Sequence, residues 1–298
     1  MAKIEAGFEK EMEVGAPLQL EVATGSGDIS VQRGEDGKLR IASEFHVRAG
    51  SQDEAEELAR RIREDPPIEV EGDLVQVGGL SRYDLDTCPD GPSVVFDFSV
   101  SAPFDTEVRV KTGSGDEDVR SLKGPVTAKA GSGDIQVQDV EEDVEIDTGS
   151  GDIAVARVRS SVSADTGSGD LDLGEIGGEV SARIGSGDAQ LRRLEGSVHV
   201  AVGSGDVNLE SSVPDGVEWV LKAGSGDVGL LLPGDSRFNL SARSALGEIE
   251  TGFGLRPSGG IGKRVEGKVG ENPTSDIAIK TAHGDIKIAA KQESAVAG

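Results

Sequence analysis

Val162-Ser163-Ala164-Asp165-Thr166-Gly167-Ser168-Gly169-Asp170-Leu171-Asp172-Leu173 is followed, 18 residues on, by Val180-Ser181-Ala182-Arg183-Ile184-Gly185-Ser186-Gly187-Asp188-Ala189-Gln190-Leu191. In both stretches small and apolar residues alternate with polar ones on either side of Gly-Ser-Gly-Asp. The tetrapeptide occurs eight times, starting at Gly25, Gly113, Gly131, Gly149, Gly167, Gly185, Gly203 and Gly224, and the six copies from Gly113 to Gly203 keep the 18-residue spacing. A fixed period over that many copies means one supersecondary unit stacked on itself. Period-two alternation of β-branched residues reads as strands with one buried face. A third apolar residue follows three places after the alternation, as in Val140, Val158, Ile176 and Leu194. Each unit is therefore strand, tight turn, strand, looser turn.

An antiparallel meander tolerates hairpins of unequal length. A solenoid does not, because one extra residue in a coil flips every later side chain to the other face. The constant period predicts an all-β solenoid with two short strands per 18-residue coil. Longer coils fall at the looser turn, around Pro214-Asp215-Gly216 and Pro233-Gly234-Asp235, where proline costs no ladder hydrogen bond. No Phe, Tyr or Trp occurs between Asp105 and Glu218, as a thin two-sheet interior requires. Phe45, Phe96, Phe98 and Phe104 before that stretch, and Trp219, Phe238 and Phe253 after it, suit caps over terminal coils.

The predicted organisation is one continuous elongated domain of coils stacked at about 4.8 Å, roughly 50 Å in all. Residues 1–110 hold a first coil, Leu18 to Gln32, and a capping excursion. Residues 111–290 hold the regular solenoid with irregular C-terminal coils, and 291–298 a frayed tail. Strands are expected at Leu39 to Val47, Ile68 to Val77 and Val94 to Ser101. A flanking helix is expected over 51–65: Ser51 with Glu54 makes a capping box, Ala55, Leu58, Ala59 and Ile62 form the apolar face, and Pro66-Pro67 ends it. Glu56 with Arg60 and Glu57 with Arg61 have i,i+4 spacing. Arg82 to Pro92 reads as a surface loop, and the glycine-rich Gly254 to Gly270 as an irregular excursion. The turn decays into Ala245-Leu246-Gly247-Glu248 and Ala282-His283-Gly284-Asp285.

Among 298 residues, 43 are glycine and the formal net charge is -25. Such a charge argues against nucleic-acid and anionic-membrane partners. No window approaches a membrane span, and Met1 to Lys10 lacks a signal-peptide core, so the expected location is cytoplasmic. The single Cys88 excludes an intramolecular disulfide.

The strongest chemical constellation is the Asp column of the repeats. Two readings are open. In one, each Asp accepts backbone N–H bonds of its own turn while the flanking glycines take φ > 0. In the other, Asp116, Asp134, Asp152, Asp170, Asp188, Asp206 and Asp227 form a calcium ladder, as in β-roll repeats. A phosphate loop needs a helix after the glycines, and here a strand follows. His46, His199 and His283 lie far apart, against a three-His metal site. The nearest off-pattern charge is Glu117, in the inward slot that Ile135 fills one coil later. An edge position or a local bulge is expected there.

These turns resemble a bacterial β-strand-repeat family of unknown function labelled "putative adhesin", with repeated T-G-S-G-D-I turns. The resemblance rests on Thr24 to Ile29, Thr112 to Asp116, Thr148 to Ile153 and Thr166 to Leu171. It extends to the lead-in Val100 to Val110, and to the ending Gly267 to Gly270 with Ile277 to Ile286. It implies a β-solenoid without known catalysis, and leaves envelope association open. The expected function is thus a non-catalytic scaffold whose flat polar faces meet a protein, a glycan or another copy. Thr127, Lys129, Gln136, Gln138, Ser163, Asp165, Arg183, Gln190 and Arg192 would line those faces. No catalytic residue, cofactor or metal is expected. The alternatives are a calcium-binding β-roll and a polysaccharide-active β-helix enzyme using Glu117.

Overall fold

The computed structural model describes residues 2–79, 91–258 and 262–291. Cys88, most of the loop expected at 82–92 and the tail after Lys291 lie outside the described residues. The chain divides into two compact units, Met1–Gly149 and Ser150–Gly298. Both are built from parallel strand ladders in the register that the period dictates: Val126 pairs with Val108 and Ile135 with Glu117 in the first unit, Val180 with Val162 and Leu171 with Ala189 in the second. The protein is an all-β solenoid, with one helix among the described residues.

In the first unit, one sheet runs Ala2–Glu13, Lys38–Ala49, Ser93–Ala102, Ile29–Arg33, Glu117–Leu122, Ile135–Val140. The other runs Ile68–Glu71, Leu74–Val77, Leu18–Ser26, Thr106–Ser114, Val126–Ser132, and then Val144–Ser150 at the unit boundary. Ile29–Arg33 is parallel to both its neighbours. Beyond them the sheet turns antiparallel, Lys38–Ala49 pairing with Ser93–Ala102 and Ala2–Glu13 with Lys38–Ala49. Strand Ala2–Glu13 is an addition to the sequence expectation. Its signal, the alternation of Ile4, Ala6, Phe8 and Met12, stands in the sequence.

The helix spans Gln52–Glu64. Ser51 Oγ accepts the Glu54 amide at 3.2 Å, and the Glu54 carboxylate accepts the Gly50 amide at 3.0 Å, so the first turn is capped from both sides. Ala55, Leu58, Ala59 and Ile62 are buried, as the pattern predicts. The ion pairs differ from expectation: Arg60 binds both Glu57 and Glu64 rather than Glu56. From Arg60, carboxylates one turn away on either side are in reach, and one guanidinium serves both. Phe8, Phe45, Phe96 and Phe98 form a chain of rings with centroids 5.4–6.2 Å apart. Those large rings fill the space between the end strands where no regular coil continues.

In the second unit, one sheet runs Ile153–Val158, Leu171–Ile176, Ala189–Leu194, Val207–Glu210, Val228–Pro233, Ile286–Lys291, Ile249–Thr251. The other runs Val162–Ser168, Val180–Ser186, Val198–Ser204, Glu218–Ser225, Asp276–His283, Phe238–Ser244, Lys263–Val269. The long coil at Pro214 shifts register from 18 to 21 residues, Ser204 pairing with Ser225, without breaking a strand. The last coil in the chain is not the last in the stack. Asp276–His283 lies between Glu218–Ser225 and Phe238–Ser244, parallel to both. The stretch expected to be irregular contains strand Lys263–Val269, which closes this edge antiparallel to Phe238–Ser244. Val265 and Val269 are buried by it; its glycines hid an alternation too short to read alone.

Each coil turns at two corners. At the first, the third residue of the tetrapeptide has φ from +139° to +156° in the copies from Gly115 to Gly226. At the second, Ser121, Asp139, Arg157, Glu175 and Arg193 have φ from +51° to +61°. That single left-handed residue explains the three-place step to the next apolar residue: it rotates the chain so that Leu122, Val140, Val158, Ile176 and Leu194 face inward again.

Candidate functional site

The Asp column is assembled as predicted, but its carboxylates serve the neighbouring coil instead of their own turn. In the first unit Asp97, Asp28 and Asp116 accept, through Oδ1, the amides of Asp28, Asp116 and Asp134, each at 2.9 Å. In the second unit Asp152, Asp170 and Asp188 accept the amides of Asp170, Asp188 and Asp206 at 2.8 Å. Asp206 and Asp227 then accept those of Asp227 and Asp285 at 2.7 Å, and Asp285 that of Glu248 at 2.8 Å. The reason lies in the backbone. The amides flanking each Asp already bond to the following coil, as Gly115 N–H does to Ser132 O and Glu117 N–H to Asp134 O. Only the Asp amide points backward, and the preceding carboxylate meets it. Each bond offsets part of the repulsion between like charges stacked at about 4.8 Å.

Asp97 belongs to this column although no Gly-Ser-Gly precedes it, so sequence reading missed it. The residue before the tetrapeptide occupies an inward slot, as the burial of Thr112, Thr148 and Thr166 shows. At Thr112, Thr148 and Thr166, and at Thr281 before the decayed turn, the hydroxyl donates to a glycine carbonyl of the adjacent coil, Gly27 at 3.2 Å, Gly133 and Gly151 at 3.3 Å and Gly226 at 3.1 Å, whereas Thr24 donates to Phe96 O at 3.2 Å. Among the described residues, no group of three or more His, Cys, Asp or Glu side chains could hold a metal ion.

Glu117 is neither at an edge nor on a bulge. It pairs in register with Ile29 on one side and Ile135 on the other, and it is 1% exposed. Neither carboxyl oxygen has a hydrogen-bond partner. Burial pushes its pKa up from 4.5 to about 7, while main-chain groups at Thr112 and Lys129 pull the other way without reaching bonding geometry. The residue is a buried acid inside the coil stack.

The residues expected to line the outward faces do so: none is buried. They are laced by cross-strand pairs, such as Arg183 with Asp165 at 2.9 Å and Arg192 with Asp172 at 2.5 Å. Among the described residues, no helix is long and apolar enough to cross a membrane, which says nothing of spans made by strands.

Solved structures similar to the chain include the following three. A "putative cell adhesion protein" from Clostridium sporogenes shares 15% identity, with 95% of this chain and 99% of that one covered and a TM-score of 0.22. "Putative adhesins" from Bacteroides fragilis and Parabacteroides distasonis share 12% and 11% identity, each covering 95% of this chain and 97% of its own, with TM-scores of 0.43 and 0.39. No curated protein matches. The Toastrack DUF4097 profile matches residues 97–181 and 126–289, well over half of the sequence, and the chain belongs to that family.

Proposed function

We propose that the protein is a non-catalytic β-solenoid scaffold that binds a partner through the polar outward faces of its sheets, the partner being a protein, a glycan or a second copy. One observation carries the reading. The repeated Asp, the residue with the most obvious chemistry, is tied to backbone amides along the corner, and what is left for recognition is the outward surface. Glycine-rich corners and β-branched interiors build a rigid support, and function on such a support resides in the exposed side chains. Among the described residues the calcium reading has no cluster to support it, and the enzymatic reading has only Glu117, paired between two isoleucines.

The test is affinity capture from the native cell by the immobilised chain, read by mass spectrometry, alongside a glycan array. A partner retained by the chain, and lost when outward residues such as Gln190 and Arg192 are replaced, is expected. Turnover of any glycan in the array would overturn the non-catalytic assignment.

A further inference from the structure

The inserted last coil of the second unit brings together charges that the sequence keeps far apart. Lys222 pairs in register with Lys280, Lys280 with Arg243, and Arg243 with Arg264. Four successive strands thus carry a cation at one position of one sheet face, in steps of about 4.8 Å. All four side chains are exposed, and Lys263 stands beside the row. Together they line an open groove of about 630 Å³, floored by small residues such as Ala245 and Ala282.

Like charges directly opposite on neighbouring strands destabilise a sheet. Earlier in the same column the sign alternates, Asp165 facing Arg183. Here compensation is partial. Glu266 serves both Arg264 and Arg243, and Glu248 lies 3.6 Å from Lys263. Lys222 and Lys280 make no ion pair among the described residues, in a chain whose net charge is -25.

We propose that this groove binds an anionic oligosaccharide carrying a carboxylate or sulfate on each ring. The inference deepens the scaffold reading, on which it rests. The repeat of the row selects the ligand: an extended acidic peptide places same-side carboxylates about 6.8 Å apart, out of step with the strands. A sugar chain charged on every ring carries a denser row of anions than such a peptide, and rotation about its glycosidic bonds lets successive charges turn toward the cations. Single-stranded nucleic acid binds through aromatic platforms, and no ring lines the groove. The volume suits a few sugar rings. The chain's overall negative charge is screened beyond about 8 Å at physiological salt, so a short anion responds to the local row.

Calorimetry with tetragalacturonate, a sulfated tetrasaccharide and neutral maltotetraose tests this. Binding of at least one anionic chain, weakened by salt, is expected, with none of the neutral one; the two anionic arms separate carboxylate from sulfate recognition. The double variant Lys222→Gln/Lys280→Gln, with an unchanged melting profile, is expected to bind about tenfold or more weakly. Glu266→Gln frees two arginines and is expected to bind several-fold more tightly. Equal affinity in the double variant, or equal binding of oligothymidylate, would overturn the groove as a glycan site. So would no binding of either anionic chain. If affinity capture still retains a partner through another face, the scaffold reading survives that loss.

Discussion

The two corners of the coil from Thr106 to Leu122 make the same demand on φ and meet it with different residues. At Gly115 φ is +152° and an added Cβ would lie 2.1 Å from the Gly27 carbonyl oxygen; at Ser121 φ is +60°. The first conformation is essentially reserved for glycine, whereas the second is a left-handed well that an L-residue enters at about 1–2 kcal/mol. Glycine therefore recurs at one corner, while the other accepts Ser, Asp, Arg, Glu and Arg in turn. Positive φ alone does not demand glycine; positive φ of the wrong magnitude, against a neighbouring backbone, does.

The largest expected effect breaks the first corner. Gly115→Ala should lower stability by more than about 3 kcal/mol in denaturant titration, combining strain with a clash against backbone. Gly113→Ala, without positive φ but with its Cβ 2.4 Å from Gly25 O, should cost less yet remain measurable, and Gly25→Ala, which meets nothing within 4 Å, should be near neutral. Equal losses at Gly25 and Gly113 would show that stacking against the neighbouring backbone does not set the glycine requirement.

Next in size is the first inward slot after that corner. Glu117 keeps its proton to about pH 7 in the folded chain, against 4.5 unfolded. The unfolded state therefore releases the proton first as pH rises. The neutral acid's contribution is whole below pH 4.5, is lost across pH 4.5 to 7, and stays lost above, a change of about 3 kcal/mol. Glu117→Ile, flanked by Ile29 and Ile135, should abolish that part of the pH profile and raise stability at pH 8 by about 3 kcal/mol. An identical slope in both proteins would show that the acid is solvated.

Asp116→Ala removes the acceptor for the Asp134 amide and should cost about 1 kcal/mol, with Asp116→Asn largely restoring it. Equal losses from both would mean that charge, rather than the bond, matters. The smallest effect tests the second corner. Ser121→Gly relieves the left-handed cost and adds unfolded-state entropy, for a net gain of less than about 1 kcal/mol. A clear loss would mean that the corner is held by the serine side chain.

The coil was legible because its period and alternation are local. Val162, Ala164 and Leu171 announce buried positions by spacing alone, and the structure buries them. The helix was legible for the same reason, from Ser51 and four apolar positions. Strand Lys263–Val269 was not, since its partner lies in Phe238–Ser244 and its own pattern is diluted by glycine. In the Asp column the repeated members were legible from the tetrapeptide, whereas the bonding was not. Which amide a carboxylate meets depends on the direction of N–H groups in the next coil, and Asp97 entered only through the strand that follows it.

The repeat, the two strands per coil, the glycine corner and the apolar interior all follow from residue spacing under fixed backbone geometry. That the last coil in the chain is inserted one place early emerged only from strand pairing in three dimensions. The burial of Glu117 between two isoleucines was likewise decided there. So was the alignment of Lys222, Lys280, Arg243 and Arg264 across four strands. Those outcomes depend on which strand edges meet, and strands far apart in sequence choose their neighbours by packing and edge pairing, which no local pattern records.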